Sequence, residues 1–155
     1  MKKYILILVT IFAIAQGAFA QVDKQQLLDI EKISRVIDNS MDSYQKVGKS
    51  SSDDSYKYSY KQGNDLKLTI VFQKEGDIDK YVEWYFSDGK LVFSHQTWTN
   101  SKTKAVVDDE KFYLSGGNLI AWTKSAQFVD SKSAEFKKTA SEIQNYGAEM
   151  IKDAK

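Results

Sequence analysis

The sequence predicts an α+β domain in which an N-terminal amphipathic helix, an antiparallel β-meander of about six strands and a C-terminal amphipathic helix packed on the sheet follow one another along the chain. Three observations carry this expectation. Apolar residues recur at threes and fours near both ends. Over residues 56–123 the period drops to two, and aromatic and β-branched side chains become frequent. Asp88-Gly89 and Gly116-Gly117 stand between alternating runs, where a two-residue hairpin turn needs positive φ at both central positions.

Residues 1–20 have the form of a cleaved signal peptide. Lys2-Lys3 precedes an apolar run from Tyr4 to Ala15, broken only by Thr10, and Ala18 and Ala20 supply small residues before a cut at Gln21. The run is shorter than the ~20 residues of a bilayer span. The expected product is a single domain over residues 21–155, periplasmic or secreted, with no membrane span after cleavage. Residues 22–41 then form a helix with the stripe Leu27, Ile30, Ile33, Ile37 and Met41, widened by Leu28 and Val36. Residues 43–55 carry Gly48, Ser50-Ser51-Ser52 and Asp53-Asp54, lack any period, and read as a flexible surface loop.

Three hairpins fill residues 56–123. Tyr56 to Tyr60 turns through Gly63-Asn64-Asp65 and returns as Leu66 to Phe72; Tyr81 to Ser87 returns as Lys90 to Trp98; Glu110 to Ser115 returns as Asn118 to Thr123. Counting outward from Asp88-Gly89 pairs Phe86 with Leu91, Trp84 with Phe93 and Val82 with His95, so these six share one face. The same count puts Phe112, Leu114, Leu119 and Ala121 on one face of the last hairpin, opposite Tyr113, Ile120 and Trp122. The two hairpins also align with each other at an offset of 28 residues. The final helix, residues 133–154, presents Phe136, Ala140, Ile143, Gly147 and Met150, with Ser131 or Ser133 as its N-cap.

The leader, the Gln21 start and the tyrosine-rich hairpins Tyr85-Phe86-Ser87-Asp88-Gly89-Lys90-Leu91 and Tyr113-Leu114-Ser115-Gly116-Gly117-Asn118-Leu119 resemble those of small exported bacterial proteins of the Bacteroidetes type. The resemblance implies an exported protein; it brings no catalytic residue and no ligand.

Composition narrows the function. Twenty-two basic residues face 21 acidic ones, and Arg35 is the one arginine, which argues against a nucleic-acid partner. With no cysteine there is neither a disulfide framework nor a thiolate metal site. No cofactor and no metal are expected: the acids in Glu75-Gly76-Asp77-Ile78-Asp79 and Asp108-Asp109-Glu110 lack calcium-loop spacing. His95 is the one histidine, and no serine occupies a nucleophile-elbow motif. What exceeds an ordinary one-sided sheet is its second aromatic face. Tyr81, Tyr85, Trp98, Tyr113 and Trp122 are the candidate ligand or partner residues, and a packed helix is the competing explanation for them. The leading expectation is a non-enzymatic exported binding protein, taking a protein partner or a small apolar ligand on the sheet aromatics or in a sheet–helix cleft. The alternative is a carbohydrate-active or other hydrolase built on Glu83, Glu110 and His95.

Overall fold

The computed structural model describes residues 23–154, with the backbone alone at 49–51. The expected leader lies outside the described residues. Helix α1 spans Lys24–Asn39, and the Asp23 carboxylate caps it by accepting the Gln25 amide at 2.9 Å. A short 3-10 turn, Met41–Ser43, leads into eight strands: β1 Gln45–Ser52, β2 Ser55–Gln62, β3 Asp65–Glu75, β4 Ile78–Ser87, β5 Lys90–Asn100, β6 Val106–Ser115, β7 Asn118–Lys124 and β8 Gln127–Phe128. Helix α2, Ala134–Asp153, ends the described chain, capped by Ser133, whose hydroxyl accepts the Phe136 amide at 3.0 Å.

The sheet is one antiparallel meander in which every strand pairs with its neighbours in sequence, from β1 at one edge to β8 at the other. It has eight strands where about six were expected. Residues 43–55 are not a flexible loop: most of them form β1, paired with β2 from Gln45 opposite Lys61 to Ser52 opposite Ser55. An edge strand of exposed polar residues buries no face of its own, so it carries no period-two signal. Gly48 makes the pairing possible, since at φ +135° it lies so close to β2 that a Cβ there would collide with the Lys57 carbonyl.

Three of the hairpins share a departure from simple pairing. Beyond each turn, one extra residue is accommodated on the return strand: Lys67 opposite the Tyr60/Lys61 step, Val92 opposite Tyr85/Phe86, and Ile120 opposite Tyr113/Leu114. These are β-bulges, and each advances its return strand by one residue. The register counted from the turns alone is therefore corrected past the second pair. Trp84 faces Ser94 rather than Phe93, Tyr85 faces Phe93, and His95 faces Glu83 rather than Val82. In the last hairpin Ala121 joins Tyr113, while Trp122 joins Phe112.

As a result two cross-strand rows run the width of the sheet on opposite faces. Tyr60, Leu68, Tyr85, Phe93, Tyr113 and Ala121 stand side by side on one. Against that face α1 lays Leu27, Ile30 and Ile37. The other face carries the row Thr69, Trp84, Ser94, Phe112, Trp122, and α2 covers it with Phe136 and Ile143. Each helix thus buries its stripe on its own side of a two-faced sheet. Among the described residues no helix is long and apolar enough to cross a membrane.

Two outcomes are expected from this packing. At Gly147 a Cβ would stand 3.0 Å from Leu91 Cδ2 and 3.1 Å from its Cβ. Gly147→Val should therefore cost about 2 kcal/mol by overpacking, read from urea denaturation. Gly147→Ala should be near neutral, because the smaller clash offsets a helix-propensity gain of about 1 kcal/mol. Deleting Val92 should remove the bulge yet keep Phe93 opposite Tyr85, at a cost of about 1 kcal/mol for the lost half-buried side chain. Interstrand NOEs that instead join Phe93 to Trp84 would show that the bulge does not set the register.

Candidate functional site

The α2 face contains a cleft of about 420 Å³ between the sheet and the helix. Its floor is made by two adjacent cross-strand rows. Trp84, Phe112 and Trp122 supply the apolar part; the neighbouring row, Val82, Gln96, Glu110 and Lys124, supplies a polar margin. Helix α2 forms the wall with Glu135, Thr139, Glu142, Tyr146 and Met150. The alternation of β6 explains the mixture: Phe112 and Glu110 are two residues apart and so point the same way. Trp122 stacks on Phe112 with ring centroids 5.5 Å apart and planes at 19°, and Trp84 meets Tyr146 at 6.1 Å.

Two features of this floor are unusual for a sealed interface. Among the described residues the Trp122 indole N–H and the Ser94 hydroxyl, both buried, have no hydrogen-bond partner, and both belong to the row beneath α2. Glu110 is also largely enclosed. Burial pushes its carboxyl above the ordinary carboxylate range, and the hydrogen bond with Lys124, at 3.3 Å, only partly opposes this.

A second polar group lies on the α1 face. His95 Nε2 is 2.9 Å from the Asp109 carboxylate and 3.3 Å from Thr97 Oγ1, while Nδ1 is 3.7 Å from Glu83. The hydrogen-bonding pull of Glu83 raises the imidazole pKa above 6.5; burial opposes the rise, and Asp109 adds to it. Tyr113 donates its hydroxyl to Glu31 of α1 at 2.8 Å, and burial together with that carboxylate keeps the phenol protonated. The Tyr85 hydroxyl faces Asp38 of α1 and Glu83, and Tyr81 faces Glu83, with burial the main force holding both phenols neutral. Chemically this cluster ties α1 to the sheet. Thr97 is not set up as a nucleophile, because the nitrogen it approaches is already engaged by Asp109.

The five candidate residues are consequently divided between faces. Tyr81, Tyr85 and Tyr113 lie with α1; Trp122 lies under α2; Trp98, half-buried, is on the α2 side but outside the cleft, with Lys80 Nζ 5.2 Å from its ring centroid. They do not form one patch, because bulges intervene between them. The hydrolase trio is divided too: Glu83 and His95 come together, whereas Glu110 points to the opposite face and pairs with Lys124. Asp109, one residue earlier, takes the place expected of Glu110. The acidic turn residues meet lysines, Glu75 with Lys80 at 2.6 Å and Asp77 with Lys102 at 2.7 Å. Gln96, Lys124 and the α2 wall residues Glu135, Thr139, Glu142 and Tyr146 escaped sequence reasoning; the recurrence of a leucine two residues beyond Gly63-Asn64, Asp88-Gly89 and Gly116-Gly117 is the signal that would have exposed the shared hairpin geometry.

Set against known protein families, curated proteins and solved structures, the chain matches none of them.

His95 yields a signed pH expectation. Its folded pKa is raised, so its contribution to stability is complete below about pH 6.5 and is lost as pH rises through the folded value. An NMR titration of the imidazole should give a midpoint above the ordinary histidine value, and Glu83→Gln should bring it down. A midpoint at or below that value in the native chain would contradict the bracketing by two carboxylates.

Proposed function

We propose that this chain is a non-enzymatic exported binding protein that holds a small, largely apolar ligand in the cleft between the sheet and α2. The observation that carries the proposal is the cleft itself: about 420 Å³, floored by Trp84, Phe112 and Trp122, with a few polar groups at one margin. Small-molecule sites have this composition and fall in the same size range of roughly 300–1,000 Å³. Tyr146, 53% exposed, puts an aromatic ring at the rim, beside the buried Trp84. Support for export comes from residues 1–20 and from the hairpin resemblance, and the periplasm or the exterior is the proposed location. The tyrosine face is assigned to holding α1 and not to a partner.

The test uses the neutral dye N-phenyl-1-naphthylamine, whose emission rises in apolar surroundings. It should bind with one-to-one stoichiometry, and Thr139→Trp, which fills the cleft from a half-buried wall position, should weaken it at least about tenfold, or about 1.4 kcal/mol. Trp98→Ala should leave dye binding unchanged. Binding that ignores Thr139→Trp, in a variant with native circular dichroism, would place the ligand elsewhere.

A further inference from the structure

Resting on the cleft reading just given, we infer that the ligand is an organic cation: an amine attached to a flat apolar body that also carries a hydrogen-bond acceptor. Charge is the first argument. Three carboxylates, Glu110, Glu135 and Glu142, line the cleft against the single ammonium of Lys124. That ammonium is already shared, 3.3 Å from Glu110 and 3.9 Å from Asp108. Glu142 has a partner in exposed Lys138 at 3.8 Å; among the described residues no cation is paired with Glu135. Lys124 is thus shared among Glu110, Asp108 and, at longer range, Glu135, and the lining carries more negative than positive charge beside an apolar floor, where a bound carboxylate would be repelled and an ammonium held.

The aromatic floor points the same way by an independent route. Phe112 and Trp122 are buried and stacked on each other, so the ring face open to a ligand is that of Tyr146, 53% exposed beside Trp84. A cation within about 6 Å of such a ring is stabilised, most of all when it has shed water. The third argument is the Trp122 indole N–H, a donor in a side chain only 3% exposed that lines the cleft and has no acceptor. A buried donor left unpaired costs about 1–3 kcal/mol, so an acceptor on the ligand meets a need the protein does not satisfy itself.

Three probes with one ring and one phenol oxygen, differing in charge, decide the matter: tyramine, p-cresol and 4-hydroxyphenylacetate, titrated into the full chain and followed by calorimetry and by the tryptophan indole N–H signals. Tyramine should bind about tenfold more tightly than p-cresol, the acid should bind most weakly, and tyramine should move the Trp122 indole signal. Glu110→Gln, and separately the exposed Glu135→Gln, should reduce tyramine binding several-fold more than p-cresol binding. Equal affinities, or a preference for the acid, would overturn the cationic class while leaving a binding cleft. A set of probes that moves no cleft resonance at millimolar concentration, with the spectrum otherwise native, would overturn the cleft reading as well.

Discussion

The two faces of this sheet depend on one small irregularity repeated three times, the extra residue that β3, β5 and β7 take in just beyond their glycine-containing turns. A hairpin with uniform pairing would set Trp84 against Phe93 and leave one face crowded with aromatics and the other mixed. With Val92 and Ile120 bulged, the tyrosines line up with Leu68, Phe93 and Ala121 on one side, and the tryptophans of β4 and β7 line up with Phe112 on the other. Each side becomes a coherent floor for a helix. Bulges also strengthen local twist, and these three fall on the return strands of alternate turns.

The character of the two floors differs, and that difference separates structure from function. Under α1 the polar groups are partnered: Tyr113 with Glu31, His95 with Asp109, Tyr85 with the carboxylates of Asp38 and Glu83. Hydrogen bonds of this kind fix a helix in one position and satisfy every group that burial has removed from water. Under α2 an indole N–H and a serine hydroxyl have no partner among the described residues, while each face holds one carboxyl whose ionisation burial disfavours, Asp38 of α1 and Glu110 under α2.

Much of this architecture was legible in the residues. The 3.6-residue stripes of Leu27, Ile30 and Ile37 and of Phe136 and Ile143 announced both helices, and Asp88-Gly89 and Gly116-Gly117 announced two of the turns where the chain does reverse. The strand β1 was hidden, because Gln45, Lys46 and Lys49 sit on an edge that asks only for backbone pairing, and backbone pairing leaves no mark on side-chain pattern. Which tryptophan shares a face with which tyrosine was hidden for a sharper reason. A bulge reverses facing by inserting a residue that is itself a perfectly good strand former; Val92 and Ile120 look like members of the alternation they interrupt. The candidate site was therefore half legible: its aromatic content and the idea of a sheet–helix cleft could be read, whereas the split of Trp122 from Tyr113, and of Glu110 from His95, required coordinates.

The sequential strand order has a further consequence for how the molecule comes together. Every sheet contact joins segments adjacent in the chain, so the meander can zip from any hairpin at small loop-closure cost. Both helices make contacts that span the chain: α1 reaches β6 through Glu31 with Tyr113, and the last turn of α2 reaches back to β2 through Asp153 with Lys57 and the Ala154 carbonyl with Lys61. The Lys57 to Asp153 pair is exposed at both ends and competes with water. The end of α2 is therefore tied to β2 by polar contacts, whereas Phe136 and Ile143 anchor the rest of the helix in the core.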